Sequence, residues 1–150
     1  MKFREMTRGR IFVLKLENGD SIKQSIESFA KEHDIMNGYY TLEGNVAAGS
    51  SFVVGLCDTN NGHHEPIIYK LDNNCEFFGL GTVIRDSIGG EPIIHMHGSV
   101  GRNGQAVTGC FRESVKVWLS MEVILEEIIG DKVSRDYDPV YGVRSLEIQE

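Results

Sequence analysis

Residues 91–111 read EPIIHMHGSVGRNGQAVTGCF. In an extended strand successive side chains point to opposite faces, so His95 and His97 share one face while Ile94 and Met96 take the other. The Asn103-Gly104 pair that follows, within Gly101-Arg102-Asn103-Gly104, is a strong two-residue hairpin signal, and a hairpin there brings Cys110 back toward the histidines. Two neutral imidazoles and a thiolate form a common zinc ligand set, and catalytic sites of that kind keep a fourth position open for water. The same residues also suit a hydrogen-bonded interior or a subunit seam. Both readings stay open on spacing alone.

Downstream of the hairpin, Val115, Val117, Leu119, Met121, Val123 and Leu125 alternate with Lys116, Trp118, Ser120, Glu122, Ile124 and Glu126. Such alternation predicts a long strand with its first set in the core. Trp118 and Ile124 then sit on the outward face, and apolar surface of this kind points to self-association. Upstream, Ile67–Leu71 and Cys75–Ile84 read as strands, and Asp72-Asn73-Asn74 between them predicts a turn joining an antiparallel pair. Gly79 and Gly81 predict a bulge or a close backbone approach. The polar segment 58–66 reads as a surface loop whose His63 and His64 are solvated, with either available as a fourth metal ligand.

Nearer the start, residues 10–17 (RIFVLKLE) read as a strand buried on both sides, broken by Asn18-Gly19-Asp20. Ser21 and Gln24 form a capping-box pattern, and Ile22, Ile26, Phe29 and Ala30 repeat as the stripe of an amphipathic helix ending near His33. Asn37-Gly38 predicts a turn into a strand interrupted at Gly44, and residues 50–57 predict another strand. From Gly130 the polar tail reads as an irregular arm. About eight strands and one main amphipathic helix packed on them make an α+β fold with a mostly antiparallel β-sheet. The expectation is a single domain over residues 1–150, with its core at about 9–128 and an arm at 129–150.

A chain of 150 residues, 41% apolar and 25% charged, can bury a core without staples. It has no apolar run of the roughly 18–20 residues that span a bilayer, and its N-terminal apolar run of about six is below the signal-peptide range, so the expectation is a soluble, cytoplasmic protein with no membrane partner. Cys57, Cys75 and Cys110 match no disulfide framework and read as reduced thiols. The net charge of -7 opposes the positive field that nucleic-acid binders present to phosphates. Seven of the 15 basic residues fall within the first 31, interleaved with acidic ones.

The order of these motifs resembles the PPC domain (plants and prokaryotes conserved), over residues 10 to 128. Gly9-Arg10-Ile11-Phe12-Val13-Leu14 looks like the family's opening strand, the helix ending before Ile35 like its first helix, and residues 75–82 (CEFFGLGT) like its FEILSLSGT-type strand. Pro92–Gly98 followed by residues 104–111 (GQAVTGCF) resembles its HLH…GxxxGGHL pattern. The resemblance implies a stand-alone member that assembles as a homotrimer, from a family whose prokaryotic members are commonly labelled predicted DNA-binding proteins. Here Arg8-Gly9-Arg10 lacks the basic flanks of an AT-hook, and Cys110 stands where the family often has a third histidine, which keeps a zinc-competent ligand. The expected metal ligands are therefore His95, His97 and Cys110. The functions in view are a trimeric binding or assembly module with zinc, a transcription-related DNA-binding regulator, and a metal-dependent hydrolase or lyase with Glu76 or Glu113 as general base.

Overall fold

The computed structural model describes residues 1–58, 64–112, 114–139 and 142–149. In chain order its elements are β1 (Thr7–Glu17), α1 (Ile22–Glu32), β2 (Asn37–Val46), β3 (Ser51–Asp58), β4 (His64–Lys70), β5 (Cys75–Arg85), β6 (Pro92–Arg102), β7 (Gln105–Phe111), β8 (Val117–Ile129), β9 (Val133–Asp138) and β10 (Val143–Ile148). The first eight strands form one sheet in the order β1-β8-β2-β5-β6-β7-β3-β4, every neighbouring pair antiparallel, while β9 and β10 pair separately. The mostly antiparallel sheet with one helix agrees with the sequence pattern.

The helix begins as its capping residues direct. Ser21 is the N-cap, in extended conformation, and its hydroxyl accepts a hydrogen bond from the Gln24 N–H. Ile22, Ile26 and Ala30 are buried against the sheet, and His33 closes the helix. Phe29 packs its ring edge-on to Phe12 of β1, 5.2 Å between centroids. Arg10 binds the two carboxylate oxygens of Glu127 and donates to the His33 carbonyl at 2.8 Å, tying β1 to β8 and to the carbonyl end of the helix.

Several sequence expectations need correction. β1 is an edge strand, not one buried on both sides: α1 covers Phe12, Leu14 and Leu16, and Ile11 and Val13 stay exposed on the uncovered face. Asp72-Asn73-Asn74 does not close a hairpin, because β4 lies at the far end of the sheet from β5, and β4 instead pairs with β3. Asn37 and Gly38 belong to β2 itself, where buried Asn37 donates to the Gly130 carbonyl. β4 starts at His64, earlier than the loop reading allowed, with Pro66 tolerated because the strand has a free edge. Leu119 is not a core residue. It adopts φ 64°, its N–H donates to the Asn18 side chain, and it is exposed between buried Val117 and Met121. The cause is a bulge, since Gly44 and Val46 of β2 oppose Met121 and Val117 of β8. Gly44 at φ 151° accommodates it, and a Cβ there would lie 2.8 Å from the Met121 Cα.

Gly79 makes a close approach and no bulge. Gly79, Gly98 and Gly109 are successive cross-strand partners on β5, β6 and β7. The ring of Phe77 lies against this row, as does that of Phe52, which stacks on Phe111 at 4.1 Å. Finally, the described part of the tail is not an irregular arm: β9 and β10 pair antiparallel, and β9 contacts β5 and the Asp86 backbone.

Candidate metal centre and adjoining cavity

Asn103 and Gly104 both take positive φ, 52° and 76°, the conformation of a two-residue primed turn. The turn fixes the register of β6 on β7 and makes His97 and Cys110 direct cross-strand partners. Partners in a ladder share a face, and His95, two residues back, shares it too. The Nε2 atoms of His95 and His97 stand 3.0 Å apart, and the two imidazole donors and the Cys110 sulfur all lie within 4.8 Å of one another. His97 is exposed, His95 half-buried and Cys110 buried.

Burial, followed by Arg135, His97 and Arg112, pushes the His95 pKa down to about 4. His95 is therefore a neutral imidazole near neutral pH, the form that can ligate a metal. Zinc bonds of about 2.0–2.3 Å set tetrahedral donors about 3.3–3.6 Å apart, so for the three to share one ion the two imidazole nitrogens, 3.0 Å apart, would part slightly and the sulfur would draw in by about an ångström. The donor set suits zinc in both hardness and number. One imidazole can also donate to the other across the 3.0 Å contact.

The cluster opens onto a cavity of about 730 Å³, bounded by β3, β6, β7, β9, β10 and the start of α1. β3 is registered on β7 through one bridge, Val53 with Cys110, and both residues line the cavity. Its basic lining residues are Lys23, Arg112, Arg135 and Arg144, and no carboxylate is among its described lining residues. Arg135 is 7% exposed, its Nη2 donates to the Thr82 hydroxyl at 2.7 Å, and its buried Nε–H has no hydrogen-bond partner. Burial lowers the Arg135 pKa, opposed by the neighbouring Cys110 and Tyr40.

The other candidates fall elsewhere. His64 opens β4 opposite Asp58, outside the cluster, and His63 lies outside the described residues. Glu76 lies on β5, opposite Gly101 and four residues along from the Leu80 that partners His97, and it lines a different depression with Glu43 and Glu122. Glu113 lies outside the described residues. Cys57 and Cys75 are free thiols whose sulfurs contact the carbonyls of Glu65 and Asn73. Sequence reasoning missed Arg135 and Thr82. Pro139 and Gly142 could have signalled a hairpin in the tail, but nothing local marks Arg135 as buried.

The structure closely matches solved ones. A plant- and prokaryote-conserved protein of Pyrococcus horikoshii aligns at TM-score 0.82 and 20% identity, covering 100% of this chain and 98% of that one. A metal-containing protein of Archaeoglobus fulgidus aligns at TM-score 0.80 and 24% identity, with full coverage of both. A candidate DNA-binding protein of Ralstonia eutropha JMP134 aligns at TM-score 0.70 and 20% identity, covering 91% of this chain and 90% of that one. At these identities the likeness concerns the fold. In sequence, the chain is 24% identical over 143 residues to the bifunctional protein GlmU of Synechococcus sp. strain JA-3-3Ab, which covers 94% of this chain. It spans only 21% of that protein and 20% of its counterpart from a second Synechococcus strain. The sequence profile of the Plants and Prokaryotes Conserved (PCC) domain matches residues 3–129, and the chain belongs to that family.

Proposed function

We propose that this PCC domain is a metal-holding binding module that works as a homotrimer, with zinc bound by His95, His97 and Cys110. The observation that carries the metal reading is the convergence of three zinc-competent donor atoms within 4.8 Å. The Archaeoglobus relative described as metal-containing supports it. Water or an incoming ligand completes the coordination. The apolar residues left exposed on the sheet face around the cluster, Val13, Leu80 and Ile124 among them, support self-association. No described helix is long and apolar enough to cross a membrane, and the proposed setting, the cytoplasm, keeps the Cys110 thiol reduced.

Metal analysis of untagged, purified protein tests the reading. The expected result is close to one zinc per chain, lost on Cys110→Ala and on His95→Ala while circular dichroism stays native, because a domain of this size stands without a metal. Zinc content unchanged in both variants, or absent from wild type after growth in zinc-supplemented medium, overturns it.

A second reading, DNA binding, has the Ralstonia relative in its favour and the net charge of -7 against it. For a metal-dependent hydrolase or lyase, the described cavity lining offers no carboxylate as a general base, and Glu76 lines a different depression.

A further inference from the structure

Arg135 carries a buried N–H with no hydrogen-bond partner among the described residues. It is nine-tenths buried, it comes from the β9 hairpin outside the segment matched by the family profile, and it faces the cavity without a carboxylate partner among the described lining residues. The nearby carboxylates are engaged. Asp86 pairs with Arg144, and Glu27 accepts from the Ile94 N–H at 3.1 Å. A buried cation with an unmatched N–H is costly, and natural structures ordinarily supply an acceptor for it. A metal on His95, His97 and Cys110 cannot be that acceptor, since a guanidinium has only donors and is repelled by a cation.

We infer that the cavity is a binding site for a small organic oxyanion, a carboxylate or phosphate ester with a compact apolar body, whose charged end is held by Arg135 and drawn in by Arg112. The guanidinium fork matches the geometry of either oxyanion. Beyond it the walls are apolar, including Val53, Val54, Leu56, Ile93, Ile94 and Phe111, and they fit a hydrocarbon or aromatic body. Arg112 and Arg135 stand together on a wall with no carboxylate among its described lining residues, although the chain's net charge is -7. Electrostatic focusing in such a cleft favours anions even against an unfavourable overall charge. The inference stands on Arg135 and not on the metal. If zinc is also present, its charge adds to that of the arginines and the oxyanion can occupy the open coordination position.

Isothermal titration of the full chain with benzoate, phenyl phosphate and the uncharged control benzyl alcohol tests the site. At least one anion is expected to bind and benzyl alcohol to bind far more weakly. Which anion binds more tightly separates carboxylate from phosphate recognition. Arg135→Gln should weaken the anion by at least about tenfold, the scale of one lost charge-assisted interaction, while zinc content is unchanged. Cys110→Ala should lose zinc and still bind the anion, which separates failure of the metal reading from failure of this one. Should Arg135→Gln not fold, Arg112→Gln decides, with a threefold or greater weakening expected. Absence of binding by both anions at 10 mM ligand overturns the inference (a ceiling of about 3 kcal/mol). So do equal binding of benzyl alcohol and, in the folded variant that decides, affinity unchanged from wild type.

Discussion

The two faces of the eight-stranded sheet are made by the same strands and meet opposite fates. On one face Tyr40, Leu42, Val83, Met96, Val123 and Leu125 are buried in a core that α1 closes with Ile22, Ile26 and Ala30. On the other, one row of cross-strand partners runs Val13, Ile124, Thr41, Leu80, His97 and Cys110. Val13 is 78% exposed, Leu80 63% and Ile124 52%, while the row ends in buried Cys110. The helix side completes itself within one chain. The open side places the proposed metal ligands at one end of an exposed, largely apolar row, so stability and the proposed function can be tested separately by face.

The largest expected effect lies on the closed face. Leu125→Ala removes a fully buried side chain from the middle of the core and should cost about 2–5 kcal/mol, read as a shifted midpoint in chemical denaturation. A cost under about 1 kcal/mol would contradict the assignment of this face as the structural one. Gly98→Ala comes next. Its added Cβ would stand 2.6 Å from ring atoms of Phe77 and 2.8 Å from the Phe78 carbonyl, so the ring must shift, at about 1–3 kcal/mol. Unaltered stability in that variant would mean that the aromatic ring is not held against the glycine row as described.

The closed face was the more legible in sequence, for a physical reason. Helical period in Ile22, Ile26 and Ala30 and alternation in Met121, Val123 and Leu125 are local patterns, and burial on one side imposes them. The turn at Asn103-Gly104 was legible because positive φ at both positions selects those residues, and with it came the pairing of His97 with Cys110. What escaped is non-local. Residues 72–74 read as a hairpin turn, yet the partner of β5 is chosen by the whole sheet order. Leu119 keeps the alternating pattern in sequence and leaves the core because a bulge opposite Gly44 interrupts the ladder. Arg135 sits in a polar tail, and its burial depends on where β9 docks against Thr82.

Between the faces, a charge on the open row should leave the fold intact and act on assembly. Ile124 is half-exposed in the single chain, so Ile124→Lys should change monomer stability by no more than about 0.5 kcal/mol. Under the proposed trimer the same lysine meets apolar surface of another copy, and light scattering at micromolar concentration should fall from three chain masses toward one. Wild type running as a monomer would remove the trimer from the proposal. A variant that stays trimeric would move the interface off this row.

The smallest expected effect is on duplex DNA, where none is expected at physiological salt. The open face carries carboxylates beyond its apolar row: Glu43 and Glu122 are cross-strand partners, and Glu76 lines the same depression. Adjacent acids there add local repulsion to the net charge of -7. DNA affinity is dominated by release of counterions from neutralised phosphates, and non-specific binders reach only about 10⁻⁴–10⁻⁶ M at physiological salt. This surface offers little such release. A gel shift at nanomolar protein that survives about 0.15 M salt would therefore require a basic surface other than the open face, with the arginines of β1, Arg8 and Arg10, the first to substitute. Both are already engaged, by Glu126 and Glu127. Their release from those carboxylates would then have to accompany binding, and the affinity of Glu127→Gln for the same duplex would have to exceed that of wild type.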